Sequence, residues 1–139
     1  MAVRVMEELD EKECLRLIGP GGIGRIAYVG RFGPAVLPVN YKLQDKAIVF
    51  RTAEHGPLDE DLRTGISDAD YRVAFEIDEI DLTAGRGWSV LVQGPAHHVQ
   101  GAGIDAARGA GVEAWAPGDR DLFVQIVPSR ITGRRVGPA

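Results

Sequence analysis

The chain has 139 residues, 45% of them hydrophobic, with 18 glycines and 8 prolines; this length fits one domain, and the composition excludes a wholly disordered chain. So much glycine and proline breaks helices, which disfavours a helical bundle and favours short strands joined by tight turns. Sixteen basic against twenty acidic side chains leave a formal net charge of −4, and general nucleic-acid binding normally needs a basic field, so that class of partner is set aside.

Lys12, Lys42 and Lys46 are the only lysines, a bias toward arginine for which the sequence offers no functional reason. Cys14, the single cysteine, cannot form an intramolecular disulfide, and a reducing compartment is the simplest reading. The first residues include the acidic Glu7, Glu8, Asp10 and Glu11 and lack the apolar core of a signal peptide. No apolar run approaches the roughly 20 residues of a membrane helix. A soluble cytoplasmic protein with no membrane partner is expected.

In chain order, Asp10 reads as a helix cap with Glu13 three positions later and Leu9 and Cys14 at staple spacing, predicting a helix over 10–18 that Gly19, Pro20, Gly21 and Gly22 stop. A strand over Gly24–Val29 is closed by a turn at Gly30–Gly33. In the strand Ala35–Leu43, Val36, Pro38, Asn40 and Lys42 share one face and Leu37, Val39, Tyr41 and Leu43 the other, with Pro38 marking an edge or a bulge. The turn at Gln44, Asp45 and Lys46 leads to Ala47–Thr52, completing a three-strand meander.

Pro57 suits a helical first turn, Asp59, Glu60 and Asp61 suit its positive end, and Gly65 is a stop, so a short helix over Pro57–Thr64 follows. Further strands are predicted over Tyr71–Ile77, Trp88–Gln93 resuming past Gly94 and Pro95 to Gln100, and Leu122–Val127, with a weak helix within Gly103–Glu113. Residues 130–139 read as a basic tail. Six strands in local succession favour a mainly β fold with short helices, a small antiparallel barrel.

Single motifs carry little chemistry. The glycine-rich run from Gly19 to Gly24 follows a helix and lacks phosphate-loop spacing, so it is read as a turn. His97 and His98, if in a strand, point to opposite faces and cannot share a metal; packing or surface roles are favoured. Asp78, Glu79 and Asp81 read as a solvated acidic turn, Cys14 as a packing residue, and Arg130, Arg134 and Arg135 as solvated charge. No Ser, His and acid arrangement stands out as a triad.

Six segments in order carry more: Gly24-Arg25-Ile26-Ala27, Pro38-Val39-Asn40-Tyr41, Val49-Phe50-Arg51-Thr52, Val73-Ala74-Phe75-Glu76-Ile77-Asp78, Gly87-Trp88-Ser89-Val90 with Gly94, and Ile131-Thr132-Gly133-Arg134. Their succession resembles the pyridoxamine 5′-phosphate oxidase-like flavin-binding split barrels, in particular the small branch related to nitroimidazole-resistance proteins. The resemblance runs from the first helix to about Arg135. It implies a six-stranded split barrel that dimerises, with FMN in grooves at the dimer interface. By position, Val39, Asn40 and Tyr41 would lie along the isoalloxazine, Arg51 and Thr52 would meet ring and phosphate, Trp88 and Ser89 would complete the pocket, and Phe50, His55 and Leu58 would flank it. The side-chain chemistry agrees for Arg51 as a phosphate fork, Thr52 as a hydroxyl, Asn40 as an amide for the ring rim and Trp88 as an aromatic wall.

The resemblance also exposes a departure. Related sequences carry a basic residue just before the leucine that opens the next helix, where this chain has Pro57, which offers neither a charge nor an N–H. Phosphate affinity should fall unless His55, Arg51 or Arg63 compensates. The function implied is an FMN-dependent oxidoreductase acting on a small substrate. The alternatives are a deazaflavin-dependent reductase and a non-catalytic protein holding flavin, haem or another planar ligand, with His55, His97 or His98 as a haem ligand.

Overall fold

The computed structural model describes residues 3–53, 56–62, 71–99, 103–113 and 122–138. In chain order these form β1 (Arg4–Leu9), α1 (Glu11–Ile18), β2 (Gly22–Gly30), β3 (Gly33–Gln44), β4 (Ala47–Thr52), α2 (Pro57–Leu62), β5 (Tyr71–Asp81), β6 (Arg86–His98), α3 (Gly103–Gly109), β7 (Leu122–Ile126) and β8 (Arg130–Pro138). The strands form one sheet in the order β1-β8-β6-β5-β2-β3-β4-β7, and a further β6–β7 pairing closes β6, β5, β2, β3, β4 and β7 into an antiparallel barrel. The six-stranded barrel expected from sequence is therefore present, with β8 and β1 added outside it on β6.

Local chemistry explains the elements. The Asp10 carboxylate accepts from the Glu13 N–H at 2.8 Å, and Cys14 and Ile18 on the opposite face are fully buried. The β3–β4 hairpin turns on Asp45 and Lys46, both at positive φ, which matches the twist of the flanking strands. Pro38 lies in the stretch Gly33–Asn40, where β3 pairs with β2 but β4 has not begun, so its missing N–H costs no ladder bond on that open side. β6 is the hub: it pairs with β8 over Gly87–Gln93 and with β7 over Ala96–His98, changing partner at Gly94 and Pro95. A Cβ on Gly94 would sit 2.1 Å from the Val127 carbonyl oxygen, so only glycine allows the crossing.

The barrel interior holds Ile26, Tyr41, Ile48, Phe50, Phe75, Val90, Val92 and Ile126, with the Tyr41 and Phe50 rings packed on Phe75 at centroid distances of 5.4 and 6.2 Å. Leu58 and Leu62 bring α2 onto this core. A second cluster, Val49, Ala107, Val112 and Phe123, lies on the other side of the β4–β7 wall beneath α3.

Several expectations are corrected. Residues Arg4–Leu9, read only as an acidic N-terminus, are a strand paired with the supposed basic tail, which is β8 throughout Arg130–Pro138. Asp78, Glu79 and Asp81 lie within β5, because the β5–β6 ladder runs to Asp81 and Arg86 before the chain turns. β6 runs unbroken through Gly94 and Pro95 to His98, while the weak helix expected within Gly103–Glu113 is present as Gly103–Gly109. Thr64, Gly65 and Gln100 lie outside the described residues.

Gly24 faces the interior, where an added Cβ would come within 2.1 Å of the fully buried Phe75 ring. Gly24→Ala is expected to lower stability by about 1–3 kcal/mol through overpacking, seen as an earlier urea midpoint at unchanged slope. A midpoint equal to that of the native chain would contradict this packing.

Candidate functional site

Strand alternation decides which of the predicted residues can meet a ligand. In β3, Tyr41 points into the barrel and is buried, with its hydroxyl donating to the Ile18 carbonyl at 2.8 Å, and burial pushes its pKa up to about 12. Val39 packs against the same core. Only Asn40 of that trio sends its side chain outward. In β4, Phe50 and Thr52 are buried on the inner side, Phe50 completely, and Leu58 of α2 is core. Tyr41, Phe50, Thr52 and Leu58 are thus buried within this chain, and Val39 is partly buried.

Arg51 is the outward residue of that β4 pair. Half-buried, it donates from NH1 to the Val112 carbonyl at 3.4 Å and lays its guanidinium over the Phe123 ring, 5.5 Å from the centroid. The turn after β4 is closed by the Gly56 N–H bonding to the Ala53 carbonyl at 3.1 Å, and α2 begins at Pro57. His55 lies outside the described residues.

Trp88 and Ser89 are adjacent on β6 and so face opposite sides of the sheet. Trp88 sits between Glu79 and Arg135 in a cleft of 610 Å³ that Glu7, Asp81 and Arg86 also line. Ser89 sits between Asp78 and Arg134 and borders a 540 Å³ cleft with Glu76, Arg130 and Thr132; a smaller cleft of 380 Å³ at the sheet end touches both residues. Arg135 donates to Glu13 at 2.9 Å, and Arg16 and then Arg135 hold the Glu13 carboxyl down at about 2. Arg135 is thus bound to α1 rather than merely solvated.

Arg51 on β4 and Trp88 and Ser89 on β6 lie on strands that do not pair with each other; β7 joins β4 and β6 on one side of the barrel, and β3, β2 and β5 join them on the other.

Two polar constellations were not legible beforehand. On the outer face, Arg25 NH1 lies 3.6 Å from Glu76 Oε1 and 3.5 Å from Asp78 Oδ2. Burial first, and the neighbouring Asp78 second, raise Glu76 to about 7, while Arg25 opposes the shift. The other is His98, whose Nε2 lies 2.7 Å from Oδ1 of Asp59, a side chain with no exposed surface. The cross-strand register of Arg25 with Glu76 was a findable signal once β2 and β5 are neighbours; nothing local announces Asp59 with His98. Among the described residues no group of three or more His, Cys, Asp or Glu side chains is placed to hold a metal ion. Nor is any helix among them long and apolar enough to cross a membrane.

A closed six-stranded antiparallel barrel with two further strands outside it is a split-barrel architecture, and comparison with known proteins agrees. The chain belongs to the pyridoxamine 5′-phosphate oxidase family, whose model matches residues 10–135. It is 31% identical over 135 residues to the uncharacterized protein Rv0080 of Mycobacterium tuberculosis, covering 97% of this chain and 88% of that one. It also resembles the FAD binding protein of Mycobacterium smegmatis, at 30% identity and a TM-score of 0.75, covering 93% of this chain and 98% of that one. An FAD-binding protein of Mesorhizobium loti shares the fold at 22% identity and a TM-score of 0.76, over 97% and 99% of the two chains.

The Glu76 shift gives a signed expectation. Because the folded chain holds the Glu76 proton up to about 7 and the unfolded chain releases it near the ordinary value of 4.5, stability falls as pH rises between those values and levels off above the higher. Glu76→Gln removes that penalty, so the variant should gain thermal stability relative to the native chain at pH 8 over pH 5, on the order of 3 °C after solvent screening. An equal difference at both pH values would show that Glu76 ionises normally.

Proposed function

We propose that the chain is a flavin-dependent oxidoreductase that works as a homodimer, binding FMN in a site shared between two copies and acting on a small substrate. The observation that carries this reading is membership of the pyridoxamine 5′-phosphate oxidase family over residues 10–135, with a half-buried arginine, Arg51, on the outer wall. A second copy laid against the first offers its own Ser89 and Trp88 to the Arg51 end. Family membership supports flavin as the ligand class, and the Mycobacterium smegmatis relative is named for FAD; FMN and FAD share the ring and the first phosphate.

The donor set fits such a ligand. Arg51 is outward and half-buried, so it can offer charge-assisted bonds to a phosphate in a partly desolvated place. Asn40 presents an amide suited to the polar rim of the ring. Bound flavin supplies hydride or single-electron transfer. The protein binds and orients it, Arg51 at the phosphate and Asn40 at the ring, and excludes water between the copies. No side chain is assigned as a catalytic acid or base.

Titrating the purified protein with FMN and, separately, FAD should shift the flavin absorbance and quench its fluorescence, and reduced nicotinamide should bleach the bound chromophore. An unchanged spectrum with both flavins, and with a deazaflavin cofactor, would overturn the reading; bound flavin that no donor reduces would remove the oxidoreductase part. Pro57 opens α2, at the place where the family resemblance implies a basic residue. Pro57→Lys should therefore tighten FMN binding about tenfold to a hundredfold, the worth of one charged hydrogen bond. No tightening would mean that the phosphate does not lie at this turn.

A further inference from the structure

A cleft of 650 Å³ on the outer face of the sheet is lined by none of Asn40, Arg51, Trp88 and Ser89. One row of paired residues runs through it across five strands. Val36 on β3 lies opposite Ala27 on β2, Ala27 opposite Ala74 on β5, Ala74 opposite Gln93 on β6, and Gln93 opposite Arg130 on β8. Side chains stand roughly perpendicular to a sheet, so two alanines in the middle of the row leave a trough between taller neighbours. Val29 and Val36, 62% and 61% exposed, make its apolar end, and Arg72 and Arg130 line the other. From Gln93 to Val36 it spans three strand spacings, about 14 Å at roughly 4.8 Å each.

The charge of the trough is one-sided. Among the described residues that line it none is acidic, and neither Arg72 nor Arg130 has an ion-pair partner. Arg16, Arg25 and Arg135, by contrast, each pair with a carboxylate. Arg72 is opposite Pro95 and Arg130 opposite Gln93 on the two sides of β6, which puts their Cα atoms about 12 Å apart by strand geometry. Two long side chains from those places can meet one group above Gln93. In a chain of net charge −4, two guanidiniums facing one cleft make a local positive field that an anion relieves.

Both ends are held by bonds within the chain. The Ser129 N–H and hydroxyl both donate to the Gln93 carbonyl, at 2.8 and 3.0 Å, which fixes the start of β8. The Tyr71 hydroxyl donates to the Val29 carbonyl and fixes the β2 side. With Ser129 spent in this way, the donors facing the trough are the two guanidiniums and the Gln93 amide, a set suited to a flat acceptor with two oxygens.

We propose that the trough is a binding site for a small amphipathic acid, its carboxylate between Arg72 and Arg130 and its apolar body laid over Ala27 and Ala74 toward Val36. The site shares no residue with the flavin reading, so either can fail without the other.

The test follows backbone amide chemical shifts of the full chain, without added flavin, on titration with octanoate, octanamide and acetate. Octanoate is expected to bind saturably with its largest shifts at Ala27, Ala74 and Gln93. Octanamide, which keeps the body and loses the charge, should bind about tenfold more weakly, and acetate, which has no apolar body, should not saturate. Arg72→Gln and Arg130→Gln should each weaken octanoate about threefold to fivefold, the worth of a screened ion pair, and leave octanamide within about twofold. Ala74→Leu fills the trough and should remove binding of both. If Ala74→Leu does not fold, the two arginine variants, which alter only exposed side chains, decide alone. Scattered shifts that do not saturate, equal affinity for octanoate and octanamide, or an octanoate affinity unchanged in both arginine variants overturns the site.

Discussion

The crossing of β6 at Gly94 and Pro95 is the constraint from which the rest of the molecule follows. On one side of it β6 lies between β5 and β8, and on the other between β5 and β7. The chain bridges the gap through Ser129 N–H to the Gln93 carbonyl at 2.8 Å and Val127 N–H to the Pro95 carbonyl at 3.1 Å. Such an approach leaves no room for a side chain at Gly94. Because β6 changes partner there, six strands close into a barrel while β8 and β1 continue as an open flap. The flap carries Arg134 beside Ser89 and Arg135 beside Trp88, and the closed end carries His98 and, across β7, Arg51.

Closure also fixes what each residue can do, since every strand residue is committed to the filled interior or to the outside. Interior places are taken by groups whose chemistry is spent on packing, such as Tyr41 against Phe75 and Ile18 and Thr52 beside Phe50. Polar groups outside it include Arg51 on Phe123, Asn40 on β3, and Arg25 with Glu76 and Asp78 across β2 and β5. The outward polar groups Arg51 and Asn40 therefore lie on the outer wall rather than in a cavity inside the barrel.

Much of the fold was legible in sequence because its signals are short in range. The Asp10 cap, the Asp45–Lys46 turn and the alternation of β3 each work within a few residues. What was not legible depends on pairing between distant segments. Arg4–Leu9 carries little apolar alternation, and only β8, more than a hundred residues later, makes it a strand. Asp78, Glu79 and Asp81 are poor strand formers held in β5 by the long ladder to β6. Site residues met the same limit. Family position picked out Val39, Asn40 and Tyr41 together, although the alternation already read from that strand separates Asn40 from its neighbours. Asp59 with His98 has no local signal at all, because it joins a helix to the end of a strand 39 positions away.

Subunit mixing tests most directly the proposal that two copies build one flavin site. Arg51→Ala and Trp88→Ala variants, each purified without FMN binding, would be unfolded, mixed in equal amounts and refolded. A shared site predicts that mixed dimers recover flavin binding, with one native site per mixed pair in which Arg51 of one copy faces Trp88 of the other. If no binding returns while the mixed dimers form, both residues serve a site within a single chain, and the account is contradicted.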